Sequence, residues 1–174
     1  MEVTIMSRIS RSLLSLSRKN LLVALSGFVA GALAAGLMVY VVMPGMMLVT
    51  EESSKDLEET VTSITKKAED LGWVVPQVVN MKNSLEKQGF DFDHEVRIVK
   101  ICKPDYAKSV LESDRFVSCL MPCSMAVWES DDGKVYITKM NTGMMGRMFG
   151  GNIARVMGDY VSKDEKAMLA DALR

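Results

Sequence analysis

Histidine is almost missing from this chain: His94 stands alone among 174 residues. A His-rich metal cage, or a histidine-activated nucleophile, therefore has almost no material to build from. His94 itself follows Asp93 in the loop FDFDHE, where a lone imidazole is ordinarily just solvated. Excess positive charge is missing too, with 21 Lys+Arg against 22 Asp+Glu. The first 50 residues hold Arg8, Arg11, Arg18 and Lys19 against Glu2 alone, which leaves 17 basic and 21 acidic residues for the remainder. A mildly acidic remainder is a poor partner for phosphate backbones, so nucleic-acid binding is not expected. Ser118 and Ser124 lack a base, and Asp131 and Asp132 read as turn residues, not as a paired acid and base. Gly150-Gly151-Asn152 lacks the lysine and the spacing of a phosphate loop. No repeat or low-complexity tract interrupts the chain. Nothing here amounts to a catalytic signature.

What the chain does have is one long apolar run. Leu21 to Met43, LLVALSGFVAGALAAGLMVYVVM, is 23 residues with no charge and no proline, and only Ser26 and Tyr40 carry a polar group. At ~1.5 Å per residue this spans the ~30 Å hydrocarbon layer of a bilayer. In lipid its backbone can be satisfied only as a helix. Pro44-Gly45 is expected to end that helix. A Lys/Arg excess marks the cytoplasmic side, and Glu51, Glu52, Asp56, Glu58 and Glu59 follow the run. The expected placement is a single pass through a bacterial inner membrane, N-terminus cytoplasmic and the rest periplasmic. A cleaved signal peptide is the rival reading, since Ala32–Ala35 imitates a cleavage site. Against it, the run exceeds the roughly 7–15 apolar residues of a signal core and continues past that point. Residues 1–20 carry Ile5, Ile9, Leu13 and Leu16 at helical spacing between basic residues. They fit either a basic amphipathic helix on an anionic membrane face or a plain positive flank. Within the run, Gly27, Gly31 and Ala35 recur every fourth residue. Small residues at that spacing let two helix backbones pack closely, though a helix touching only acyl chains could carry them as well.

About 130 residues remain for one globular domain, enough for a real core. Met46 to Thr50 reads as a first strand. Asp56 to Leu71 reads as a helix with Leu57, Val61, Ile64, Ala68 and Leu71 on one face and Gly72 as its stop. Trp73-Val74-Val75 starts a strand that Pro76 confines to a sheet edge. A short helix from Asn80 or Met81 ends near Gly89, and Val96 to Cys102 alternates as a half-buried strand. Pro104 opens another helix. Cys123–Glu129 and Lys134–Met140 form a hairpin about Asp131-Asp132-Gly133, and residues 143–174 are Gly-interrupted and then helical. That order predicts an α+β fold, with helices on one face of a mainly antiparallel sheet.

The outer segment resembles the domain-of-unknown-function 302 (DUF302) family. The likeness rests on Cys102-Lys-Pro-Asp-Tyr-Ala, on Leu120-Met-Pro-Cys123 followed by Ser-Met-Ala-Val, on the Asp-Gly-Lys-Val hairpin, and on the block ending Glu86-Lys-Gln-Gly-Phe. It covers about residues 46–142, taken as a domain over 45–142, with the span at 21–43 and the tail at 143–174 as additions. The resemblance implies a compact α+β module with a tendency to pair as dimers, and lends no mechanism.

The soft ligands remain. Cys102 ends one strand and Cys123 starts another, and neighbouring strands lie ~4.8 Å apart, so the two are candidates for a disulfide, a reactive thiol pair or a metal site, or they are simply small buried hydrophobes. Cys119 stands four residues before Cys123 without the second ligand pair a zinc site needs. Met140, Met144, Met145, Met148 and Phe149 crowd KMNTGMMGRMFGG. Thioethers can bind copper(I), but pliable apolar contact with a membrane or a partner is the commoner use. The expectation is a non-catalytic membrane protein without a cofactor, working as an assembly or accessory subunit of a homo-oligomer or larger membrane complex. The alternative is redox or copper handling through Cys102, Cys123 and the tail methionines.

Overall fold

The computed structural model describes residues 18–173. The basic segment expected over 1–20 lies outside the described residues but for its last three. The chain divides into two compact units at Pro44–Gly45. Helix α1 runs over Arg18–Met47, with all but its last three residues in the first unit. The most apolar 18 residues within its Asn20–Met47 stretch have a mean hydropathy of 2.2, and none of them is buried by protein. Length and composition suffice to cross a membrane. The expected stop at Pro44-Gly45 is not where the helix ends: Pro44 lies inside it, and β1 starts at Leu48 instead of Met46. Proline forfeits one bond to the carbonyl four residues back, and the helix resumes once that local cost is absorbed.

The second unit is α+β. Strands β1 (Leu48–Glu52), β2 (Val74–Asn80), β3 (Val96–Cys102), β4 (Cys123–Glu129) and β5 (Val135–Met140) form one sheet in the order β1-β5-β4-β3-β2. Every neighbouring pair is antiparallel. Pro76 falls on the edge strand β2, where the register shifts between Val74 and Gln77, because proline cannot donate to the ladder.

Helix α2 (Leu57–Asp70) shows how local chemistry sets an element. Asp56 caps it by accepting from the Glu59 amide at 2.8 Å. At the other end Trp73 N bonds to Ala68 O and Gly72 N to Glu69 O, the paired closure that needs a left-handed residue, and Gly72 sits at φ 76°. The short α3 (Met81–Glu86) follows, then α4 (Pro104–Ser113) with Pro104 in its first turn and a 3-10 turn at Arg115–Leu120. After β5 come α5 (Thr142–Phe149), the turn Gly151–Ile153, a π-helical stretch Ala154–Val161 and α6 (Ser162–Leu169).

Strand alternation sorts the sheet faces. Val99, Ile101, Met125, Val127, Val135 and Ile137 point into a core completed by Leu57, Ile64 and Ala68 of α2. The C-terminal run is part of that core, contributing Ile153, Val156, Met157, Val161, Met168, Leu169 and Ala172. The other face carries two cross-strand rows, Ile98–Ala126–Thr138–Thr50 and Val96–Trp128–Tyr136–Glu52. There the Trp128 and Tyr136 rings stack at 5.0 Å, and Trp128 Nε1 donates to Thr138 Oγ1 at 3.0 Å.

Candidate functional site

The largest concentration of unusual chemistry lies where β4 begins and β5 ends. Val135, Ile137 and Lys139 share the inward side of β5, so alternation carries a lysine into the core. Lys139 is 9% exposed. Its ammonium meets Glu165 of α6, 2% exposed, at 2.9 Å. Thr142 Oγ1 donates to the same Glu165 oxygen at 2.8 Å. A buried charge pair survives only when hydrogen bonds surround it, and the position of α5 supplies one. Asn141 caps that helix, accepting from Met144 N at 3.1 Å, and so fixes the adjoining Thr142.

Lys139, Thr142 and Glu165 border a cavity of about 380 Å³. Its apolar wall includes Leu48, Ile98, Leu120 and Ala126, and its sulfur groups are Cys119, Cys123 and Met140. Among the described residues Lys139 Nζ has no second acceptor, which leaves it free to donate into this space. Cys119, Cys123 and Met140, three of the expected sulfur positions, thus line one cavity. Cys102 lines a smaller one of about 30 Å³ behind it, and Cys123 lies between the two.

All three cysteines are free. In the ladder Cys123 stands opposite Ile101, not Cys102, and the two thiols border the same small cavity without being bonded. Burial foremost, then the charge of Glu165 and the nearby Cys102, pushes the Cys123 thiol up to about 12. At neutral pH it is a protonated thiol and a poor nucleophile. Among the described residues no three His, Cys, Asp or Glu side chains group to hold a metal ion.

A second polar knot joins the C-terminal run to the sheet. Asp164 Oδ2 accepts from Trp73 Nε1 at 3.0 Å, Lys103 Nζ at 3.1 Å and Tyr106 OH at 3.3 Å. Lys103 also lies over the Tyr106 ring, 4.5 Å from its centroid. Burial lowers the Lys103 pKa, but the bond to Asp164 and its charge outweigh that and leave it above the ordinary value. All of these groups have partners, and the knot acts as a fastening.

The other expected residues scatter. Met145 is buried, Met144 half-buried, and Met148 and Phe149 exposed. The glycines beside them serve a close approach: a Cβ on Gly146 would stand 2.5 Å from Gly158 N. Gly27, Gly31 and Ala35 are on the surface of α1, and a Cβ on either glycine would meet nothing within 4 Å. His94 is exposed, 3.7 Å from Asp131. Sequence reasoning missed Lys139, Thr142 and Glu165. A lysine in phase with Val135 and Ile137 was the available signal.

A family model described as "Domain of unknown function DUF302" matches residues 49–173. The match continues to Leu173, so the tail taken as an addition falls within the module, in keeping with its place in the core. A crystal structure of an uncharacterized conserved protein DUF302 from Bacillus stearothermophilus is similar, with a TM-score of 0.65 and 24% sequence identity over 72% of this chain and 98% of that one. At that identity the likeness concerns the fold. No curated protein matches the chain.

Proposed function

The chain belongs to the DUF302 family, and from that premise we propose that it is a membrane-held, non-catalytic DUF302 module that works by assembly, pairing with itself or joining a larger membrane complex as an accessory subunit. The observation that carries this reading is α1. Its 28-residue stretch Asn20–Met47, whose most apolar part is not covered by protein, needs another cover, and a bilayer supplies it. Gly27, Gly31 and Ala35 give that helix a side on which a second helix can approach closely. Arg8, Arg11, Arg18 and Lys19 ahead of it favour a cytoplasmic N-terminus and an extracytoplasmic module in a bacterial inner membrane. The sheet face bearing Ile98, Trp128 and Tyr136 offers the module a second contact surface.

The test is the mass of the intact particle after extraction in a gentle detergent. Assembly requires a defined multiple of the 19.2 kDa protomer, or additional subunits. A lone protomer at every detergent concentration overturns the reading. The redox or copper alternative draws support from the meeting of Cys119, Cys123 and Met140 at one cavity. Metal analysis of protein purified without oxygen decides between them: one copper per chain, lost when Cys123 and Met140 are replaced, would favour the alternative.

A further inference from the structure

We propose that the groove beside α5, rimmed by Arg147 and Lys166 and reached by Met46, takes the head group of an anionic phospholipid, with Met148, Phe149 and Phe116 resting in the interfacial layer beside it. This rests on the membrane reading above and names the lipid that the module contacts.

The groove has a volume of about 740 Å³ and an amphipathic lining. Met46, Met148 and Leu169 are among its apolar walls, and Asn141 and Ser162 offer hydrogen-bonding groups. Its charges are unbalanced toward the positive. Lys139 is already paired with Glu165, which leaves Arg147 and Lys166 against Glu51 alone. Both cations are exposed, and among the described residues neither has an ion-pair partner. A phosphate between them meets donors whose pairing costs no existing bond.

Met148 lines the groove, and Phe149, next to it in α5, forms an exposed aromatic pair with Phe116. Phe116 is 66% exposed and Phe149 43%, with ring centroids 6.0 Å apart, and Met148 is 56% exposed. Large apolar side chains gathered in the open beside unpaired cations match the two layers of a bilayer surface. Chain length agrees as well. Met46 lies three residues beyond Met43, so even a fully extended chain holds this wall within about 10 Å of the end of the apolar run. A lipid phosphate is the anion that is always within that reach.

The experiment uses the full chain in nanodiscs of equal phosphatidylglycerol and phosphatidylcholine, released for native mass spectrometry, with Arg147→Glu/Lys166→Glu as the comparison. Each basic residue near an anionic surface contributes roughly fivefold, so about 30-fold enrichment of phosphatidylglycerol on the wild type should collapse in the double variant. Equal uptake of both lipids by the wild type, or enrichment that survives the double substitution, overturns the proposal. So does a dimer that the substitutions dissociate whatever the lipid, since the groove would then belong to a second copy. Arg147→Gln and Lys166→Gln give the same reading should the charge reversals unfold the module. A carbonate wash separates this result from the anchor: a chain it releases overturns the membrane reading. Flotation of that released chain on phosphatidylglycerol against phosphatidylcholine vesicles then decides the groove, head-group-dependent flotation lost in the double variant sustaining it and any other outcome overturning it.

Discussion

Breaking the Lys139–Glu165 pair should destabilise the module more than almost any other single change. Glu165→Leu leaves an ammonium at a 9% exposed position without its acceptor, and also removes the acceptor of Thr142. Lys139→Met leaves a carboxylate at a 2% exposed position holding only the Thr142 hydroxyl. Uncompensated buried charges of this kind cost about 3–5 kcal/mol. For a domain of this size, at roughly 4 °C per kcal/mol, either variant should melt some 12–20 °C lower. The double variant should behave differently. With both charges gone and apolar groups of similar volume in place, most of the loss should be recovered, because the desolvation of both ions is no longer incurred. The assay is urea or thermal unfolding of the full chain in a mild non-ionic detergent, followed by tryptophan fluorescence. Trp73 and Trp128 both lie in the module, so the signal reports on it and not on α1. A four-way mutant cycle should give a coupling larger than either single loss, because the double variant recovers most of what the two singles forfeit. Single losses under about 1 kcal/mol, or a double variant worse than either single, would refute the reasoning.

Thiol reactivity should separate the cysteines: exposed Cys119 alkylates first, while Cys123 reacts about a hundredfold slower than an ordinary thiol at pH 8, its smaller thiolate fraction being partly offset by greater nucleophilicity. Because the Cys123 pKa is raised, that rate should keep climbing with pH toward about 12 instead of levelling near the usual thiol value, and mass spectrometry of alkylated peptides reads it directly. Gly146→Ala should cost about 1–3 kcal/mol in the same unfolding assay, since the new methyl group would meet the Gly158 backbone. Gly27→Leu/Gly31→Leu should weaken self-association in detergent without moving the unfolding midpoint of the module; unchanged association would show that this side of α1 is idle.

Much of the fold was legible because its punctuation is local. Asp56 three residues before Glu59 marks the start of α2, and Gly72 its end; the alternation from Val96 to Cys102 and the Asp131-Asp132-Gly133 turn set the strands on either side. What was misread depends on packing between distant segments. The glycines near Met144 read as interruptions of a helix, whereas Gly146 lies within α5 and is small because the backbone at Gly158 crosses it. Local sequence cannot tell a glycine chosen for freedom from one chosen for proximity. Pro44 was misjudged as a stop for a related reason: proline weakens one helical bond, and the flanking apolar residues carry the helix on.

The candidate site teaches a sharper lesson about what counts as a signal. Counting sulfur atoms brought Cys102 and Cys123 forward, yet a single-residue offset between β3 and β4 places Ile101 across from Cys123, and the two thiols are not bonded. No spacing rule fixes that offset in advance, since it depends on which face of each strand the core claims. Lys139 needed no such knowledge. Val135 and Ile137 already define the inward side of β5, and a lysine next in that series must take an ammonium where water is scarce. A buried cation demands an anion, so the position announces a partner elsewhere in the chain even though only the tertiary fold reveals it as Glu165, 26 residues on. The violation of the strand pattern is therefore the more informative feature. It marks the site at which burial, charge and the Cys123 thiol become coupled, and there the two readings of this module's function make different demands on the same residues.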